Sequence, residues 1–282
     1  MTIGAVIFAQ NNSSLDYTKL AGFAAKRVKE YLGIPVSVIT DSADWIKQSQ
    51  PDNCFDQIID VEYYNFTQYK RFNDGTMAHK TLEWKNFTRD RVYDLTPYDR
   101  TLVLDSDYII NSNVLKSAFE NDYDFQIYKN SMDLALWRSQ TEYERVSPWS
   151  IPFYWATVFV FKKNDIMSSF FDLIAYIKAN WIYFRNLYSI PATLYRNDYA
   201  FSIAIHIMNG KANGEFAIEL PGKMTYIRDN DLLVDMKDNR MKFLIEKESY
   251  LGEYTVAKTQ GLDVHVMNKL SLNRFIDGGS GV

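Results

Sequence analysis

Two short apolar runs bracket one amphipathic segment at the start of the chain, and this triplet restricts the fold more than any other feature. Ile3 to Ala9 (IGAVIFA) is almost continuously apolar. A run of that length with β-branched content is too short for a buried helix and reads as a buried parallel strand. Asn11, Asn12 and Ser13 follow as loop and cap residues. Next, Tyr17, Leu20, Ala21, Ala24, Val28 and Tyr31 recur at helical spacing, with Lys19, Lys26, Arg27, Lys29 and Glu30 mostly between them. That spacing puts an apolar stripe on one helix face. Gly33 and Pro35 end the helix, and Val36 to Thr40 (VSVIT) is a second strand. Strand, helix, strand predicts a right-handed βαβ unit and an α/β fold with a parallel sheet.

The rest of the chain continues in that style. Gln57–Val61, Asp124–Tyr128 and Trp155–Phe161 read as strands, and Arg100–Leu104 (RTLVL) is a strong one that runs into Asp105. A short helix capped by Ser112 is predicted over Asn113–Glu120, a long one over Asp165–Phe184, and another over Asn197–Met208. Glu62–Asn73 is polar and aromatic and reads as an irregular excursion, and Met77–Tyr93 is predicted to contain a helix. Pro148 and Pro152 keep Asn130–Pro152 irregular. Short strands are expected around Phe216–Leu220, Met224–Ile227, Met241–Ile245 and Val264–Val266, then a short helix from Lys269 to Phe275. With no internal repeat and no clear linker, 282 residues suit a single α/β domain.

Hydrophobic residues make up 47% and charged residues 23%, a globular balance. The net charge of −4 excludes a broad electrostatic grip on nucleic acid, which needs excess positive charge. A local basic segment remains in Lys70, Arg71, Lys80, Lys85, Arg89 and Arg91, against Asp74, Glu83 and Asp90. Cys54 is the single cysteine, so no intrachain disulfide can form. Met1–Gln10 lacks the basic start of a signal peptide and no stretch reaches the length of a membrane span, so a cytoplasmic location is expected.

The chemistry concentrates in Leu102-Val103-Leu104-Asp105-Ser106-Asp107. Ligands of open α/β sheets bind at the carboxyl ends of strands. Two carboxylates one residue apart at such an edge can present oxygens to one Mn²⁺ or Mg²⁺ ion, with phosphates completing its shell. Of the three histidines, His206 sits among isoleucines on an apolar helix and reads as a core residue. His79 beside Lys80 reads as exposed. His265 follows a short apolar strand near the end of the chain.

The run TLVLDSDYII resembles the metal-binding "DXD" segment of GT-A glycosyltransferases, of which the glycogenin-like and galactosyltransferase families are members. Pro97-Tyr98-Asp99-Arg100-Thr101 is similar to their lead-in, ATVFVFKKND to the strand that follows, and Arg196-Asn197-Asp198-Tyr199-Ala200-Phe201 to their acidic helix start. Val264-His265-Val266-Met267-Asn268-Lys269 is similar to their closing histidine and lysine, although the glycine usual between the two is absent. Trp155-Ala156 also stands where a small pair is common. The opening, with Asn11-Asn12 and Tyr17, resembles glycosyltransferases encoded by tailed phages.

The resemblance implies a GT-A (Rossmann-like) fold with a mostly parallel central sheet and flanking helices. Residues from about 1 to 128 would form the nucleotide-binding half and 129 to 277 the acceptor half. It implies a metal-dependent glycosyltransferase taking a nucleotide-sugar donor, UDP-sugar favoured. The acceptor is open, and nucleic acid with a hydroxymethylated base is one candidate. Asp105, Asp107 and His265 would hold Mn²⁺ or Mg²⁺, and Lys269 would meet the diphosphate. Asp198 would serve as general base or bind the sugar. Ala9, Asn11 and Ser106 would contact the nucleotide sugar, and Asn197 and Trp155 the sugar or acceptor. Tyr17 either stacks on the nucleobase or belongs to the buried face of the first helix. Asp41 either takes ribose or base hydrogens or caps a helix. Lys80 and Arg89 either reach the donor's phosphates or sugar or are surface charge. Two other functions compete. A sugar-phosphate nucleotidyltransferase usually has a glycine-rich phosphate loop after its first strand, whereas here Gly4 stands alone. A non-catalytic carbohydrate-binding module would use Trp149, Phe153, Tyr154 and Trp155 as a platform.

Overall fold

The computed structural model describes residues 1–49, 54–62, 68–85, 89–136, 143–248 and 251–278. In chain order the elements are β1 (Ile3–Phe8), α1 (Tyr17–Leu32), β2 (Val36–Thr40), α2 (Ala43–Ser49), β3 (Gln57–Asp60), β4 (Gln68–Asn73), β5 (His79–Trp84) and α3 (Val92–Leu95). Then come β6 (Arg100–Asp105), β7 (Tyr108–Ile109), a 3₁₀ helix over Val114–Phe119, β8 (Phe125–Tyr128), β9 (Ser131–Asp133) and β10 (Trp155–Lys162). The chain continues with α4 (Asp165–Ala179), α5 (Trp181–Leu187), α6 (Asn197–Met208), β11 (Ile218–Glu219) and β12 (Met224–Ile227). It closes with β13 (Leu232–Lys237), β14 (Arg240–Glu246), β15 (Tyr254–Gln260), β16 (Val264–Val266) and α7 (Lys269–Gly278).

The central sheet runs β11-β8-β10-β6-β1-β2-β3. The pairs joining β6, β1, β2 and β3 are parallel, as is β11 with β8, while β10 is antiparallel to both its neighbours. This is the mostly parallel α/β sheet with flanking helices that the opening triplet predicts. Strands β1, β2, β6 and β10 are buried along most of their length and mostly apolar, as a sheet covered on both faces demands. Asp16 caps α1 by accepting from the Lys19 N–H, and Gly33 ends it at φ 70°, a left-handed cap that favours glycine. Gly4 serves packing instead: a β-carbon there would lie 2.3 Å from the Tyr98 ring, so β1 and the turn before β6 approach closely only with glycine. Strand β10 lies between β6 and β8, so the sheet is continuous across residue 128.

A second sheet, β7-β16-β12-β9, stands beside the carboxyl edge of the first, and β13–β14–β15 form a small antiparallel sheet. The polar stretch before β6 departs from the sequence-based reading. Among its described residues it is an antiparallel hairpin, β4 with β5, not an excursion followed by a helix. Gln68 and Phe72 point inward while Tyr69 and Arg71 are exposed. The period is that of a strand, hidden because charged Lys70 shares the inner face. Among the described residues, helical structure within Met77–Tyr93 is one 3₁₀ turn over Arg89–Arg91 and the start of α3.

The long helix expected over Asp165–Phe184 is two helices, because Asn180 leaves helical geometry (φ −111°, ψ 33°) and its side-chain amide donates to the Tyr176 carbonyl. Strands β13 and β15 lie outside the sequence-based reading, since only one residue of each is buried. His79 is exposed, and His206 is only partly buried, its ring edge-on to Tyr188 at 5.9 Å. Among the described residues no helix is long and apolar enough to cross a membrane.

Candidate active site

The register of the central sheet fixes the first carboxylate. Phe8 of β1 pairs with Asp105 of β6, so Asp105 ends its strand at the carboxyl edge, level with the end of β1. The chain turns through Ser106 and Asp107 into β7, where Tyr108 pairs with His265 of β16. The Val266 N–H donates to the Asp107 carbonyl. A short strand pair thus brings residue 265 back onto residue 107. Ligand atoms of Asp105, Asp107 and His265 lie within 4.8 Å of one another.

Asp107 is almost completely buried. Its Oδ2 accepts from His265 Nε2 at 3.2 Å and from Lys269 Nζ at 2.5 Å. Burial pushes its carboxyl up, but the Lys269 ammonium and the His265 ring beside it prevail and hold it well below the usual carboxylate range. Burial works against the Lys269 charge in turn, and the Asp107 and Tyr17 side chains more than offset it, raising its pKa. Asp105 is paired with the Arg89 guanidinium, which also donates to the Ala156 carbonyl. Two carboxylates and an imidazole are a donor set suited to Mn²⁺ or Mg²⁺. The buried Nδ1 of His265 has no hydrogen-bond partner among the described residues. The other ring nitrogen, Nε2, faces Asp107 at 3.2 Å and is the one placed to ligate an ion.

These groups line a cavity of about 350 Å³. Of the residues singled out from sequence, Tyr17, Arg89, Asp105, Ser106, Asp107, Asn197, Asp198, His265 and Lys269 all lie on its wall. Tyr17 is partly buried, with its hydroxyl shut from solvent and without a hydrogen-bond partner among the described residues. Burial raises its pKa, and the charges that act on it are Lys269, Asp107 and Asp105. The phenol therefore stands at the carboxylate end of the cavity. Asp198 opens α6, where its Oδ1 accepts from the Ala156 N–H at 3.0 Å and its Oδ2 from Arg196 at 2.8 Å. Both oxygens are held in one orientation.

Five of the sequence candidates fall elsewhere. Ala9 is fully buried in the core, its N–H donating to the Ile39 carbonyl. Asn11 accepts from the Thr18 N–H, holding the loop before α1. Asp41 is one residue behind the wall, paired with Lys85 at 3.0 Å. Lys80 is exposed near the hairpin tip. Trp155 is fully buried beneath the cavity, with the rings of Tyr143, Phe153 and Tyr226 centred 4.8–5.4 Å from its own. Its indole cannot meet an acceptor from there, because a large ring at the start of a central strand is drawn into the core. Trp149 is exposed while Phe153, Tyr154 and Trp155 are buried, so these four rings do not form one platform.

The wall also holds Gln10, Lys70, Phe72, Trp84, Lys85, Arg196 and Asp229, which the sequence-based site did not include. The signal for the hairpin residues was the period-two pattern of Gln68, Lys70 and Phe72. For Gln10 it was its place just past the end of β1. No comparable pattern points to Asp229.

No protein-family model matches the chain, and no curated protein matches it. Among solved structures it is similar to the glycosyltransferase GlyE of Streptococcus pneumoniae, with a TM-score of 0.43, 15% identity, and coverage of 78% of this chain and 45% of GlyE. It is also similar to an active-site mutant of LgtC (TM-score 0.46, 14% identity, 78% of this chain and 72% of that one). A third is galactosyltransferase LgtC in complex with donor and acceptor sugar analogs (TM-score 0.44, 14% identity, 78% and 73%). The chain thus spans under half the length of GlyE. These solved structures are glycosyltransferases, and likeness at such scores and identities assigns no activity.

Proposed function

We propose that the cavity is the donor site of a metal-dependent glycosyltransferase that moves a sugar from a nucleotide-sugar, UDP-sugar in the first instance, to a hydroxyl acceptor. The observation that carries this reading is the convergence of Asp105, Asp107 and His265 within 4.8 Å at a sheet's carboxyl edge, inside a cavity ringed by basic side chains. A Mn²⁺ or Mg²⁺ ion held by these three residues would neutralise charge growing on a departing nucleoside diphosphate. Lys269 adds a fixed positive charge at the same end and keeps Asp107 ionised for its ligand role. Arg89 pairs with Asp105, the other carboxylate of the set. The Tyr17 hydroxyl, buried and free to donate, suits a phosphate oxygen there better than a nucleobase face.

Asp198 accepts a hydrogen bond from a sugar or acceptor hydroxyl, in an orientation set by Arg196 and the Ala156 N–H. Asn197 lies beside it on the same wall. A metal-dependent hydrolysis or transfer assay with UDP-glucose and UDP-galactose tests the reaction. Release of UDP that requires Mn²⁺ or Mg²⁺ and is lost in Asp107→Asn is the expected result. Glycan binding without nucleotide, and no release from any nucleotide sugar, would replace this reading with a binding module. An acceptor panel that sets hydroxymethylated DNA bases beside free sugars addresses the second substrate.

A further inference from the structure

The β4–β5 hairpin lines the cavity as a strap anchored along its length. At its base, Gln68 grips the backbone of Tyr195, accepting from its N–H at 3.0 Å and donating to its carbonyl at 3.4 Å. Asn12 donates to the Glu83 carbonyl at 2.8 Å on the opposite strand. Toward the tip, Asn73 donates to Asp229, Tyr254 accepts from the Thr76 N–H, and Arg274 pairs with Asp74. A surface hairpin tied to five separate parts of the chain holds its inward side chains in fixed positions.

One of those side chains is Lys70. Its ammonium lies 4.9 Å from the Trp84 ring centroid and 5.6 Å from that of Phe72, and it opens on the cavity. Aromatic faces attract a cation but do not neutralise it. The other cations of the wall have carboxylate partners: Lys269 with Asp107, Arg89 with Asp105, Arg196 with Asp198 and Lys85 with Asp41. Lys70 has no carboxylate within ion-pairing distance among the described residues. Burial, with Lys269 and Arg196 nearby, pushes its pKa down to about 8. Asp229 and Asp107 act on Lys70 only from beyond ion-pairing distance, so a partly buried cation beside two others gains much from an anion that a ligand brings into direct contact.

We infer that the strap exists to present Lys70 as a second cationic contact, besides Lys269, for the diphosphate-class anion of the ligand. This inference rests on the proposed donor site for the identity of the nucleotide, and only on the cavity for the anion. The test measures binding of UDP and of inorganic pyrophosphate, each with Mg²⁺, by the quenching of tryptophan fluorescence and by calorimetry. Wild type is compared with Lys70→Met, which keeps the aliphatic stem over the rings, and with Lys70→Arg, which keeps the charge. Loss of one charge-assisted contact predicts about tenfold or greater weakening for both ligands in Lys70→Met, with most of it recovered in Lys70→Arg. Unchanged affinity in Lys70→Met overturns the inference while leaving the donor site standing. Pyrophosphate binding that depends on Lys70 without any UDP binding upholds Lys70 and overturns the nucleotide reading. Binding of neither ligand to wild type overturns both. A ligand-free Lys70→Met protein that melts well below wild type, with Lys70→Arg no better at binding, assigns Lys70 a structural role instead.

Discussion

The two walls of the cavity handle buried charge in opposite ways. On the sheet side, Asp105, Asp107, Arg89 and Lys269 form ion pairs before any ligand arrives. On the strap side, Lys70 rests on aromatic rings, with no carboxylate of the described residues within ion-pairing distance and Asp229 and Asp107 acting on it only from further away. A buried charge with a partner is stable but must give up part of that pairing to bind something else. A charge without one is strained in the empty site and relieved by an anion. On the proposed reading the sheet wall would hold a cation and the strap wall would receive an anion.

The largest effect expected is at Asp107. Asp107→Asn should abolish metal-dependent nucleotide binding. It also leaves the Lys269 ammonium facing an amide, which should cost about 3–5 kcal/mol of stability. The double variant Asp107→Asn/Lys269→Met should recover much of that stability in a denaturant melt and none of the binding. Equal destabilisation of the single and double variants would contradict the paired-wall account.

Next in size is the pH response of the strap wall. The groups facing Lys70 are Lys269 from α7, Arg196 ahead of α6, Asp229 ahead of β13 and Asp107 after β6. Its folded pKa of about 8 lies below the usual lysine value, so the charge is present at pH 7 and lost as pH rises through 8. Affinity for UDP with Mg²⁺ should fall between pH 7 and 9 in wild type and stay nearly level in Lys70→Arg. The linkage to stability has the reverse sign. The burial of Lys70 costs the empty protein stability in full below a pH of about 8, and the cost fades only as pH climbs from there to the ordinary lysine value of 10.5. Ligand-free Lys70→Met should therefore melt no lower than wild type at pH 7, and a clear drop would show a structural role.

Gln68→Ala removes the amide that grips Tyr195 and should cost about 1–2 kcal/mol of stability. It should also weaken nucleotide binding several-fold by loosening the strap, as read by calorimetry. The smallest effect is Tyr17→Phe. A buried hydroxyl without a partner gives the empty protein nothing, so its melting temperature should change little, while nucleotide affinity should fall a few-fold.

The same contrast explains what could be read from the sequence. Strands β1, β2, β6 and β10 announce themselves because a doubly covered sheet needs unbroken apolar runs. Asp105 and Asp107 follow from the end of β6. His265 came from a resemblance, and only the pairing of Tyr108 with His265 supplies the physical reason that it lands there. The strap was missed because its inner face mixes Gln68, Lys70 and Phe72, a pattern without apolar contrast. Its function requires a lysine where folding alone would favour an apolar residue. Trp155 failed in the other direction. An aromatic next to a site in sequence was read as a contact, and packing against Tyr143, Phe153 and Tyr226 draws it under the cavity instead.

The most direct test of the central claim is the melting temperature of the wild-type protein with UDP, with Mn²⁺, with both, and with both plus EDTA. A ligand that binds only the native state raises it by linkage. The account predicts a clear rise with UDP and Mn²⁺ together, little with either alone, and reversal by EDTA. An equal rise with UDP in EDTA, or no rise with any nucleoside diphosphate, would contradict a metal-assisted nucleotide site at Asp105, Asp107 and His265.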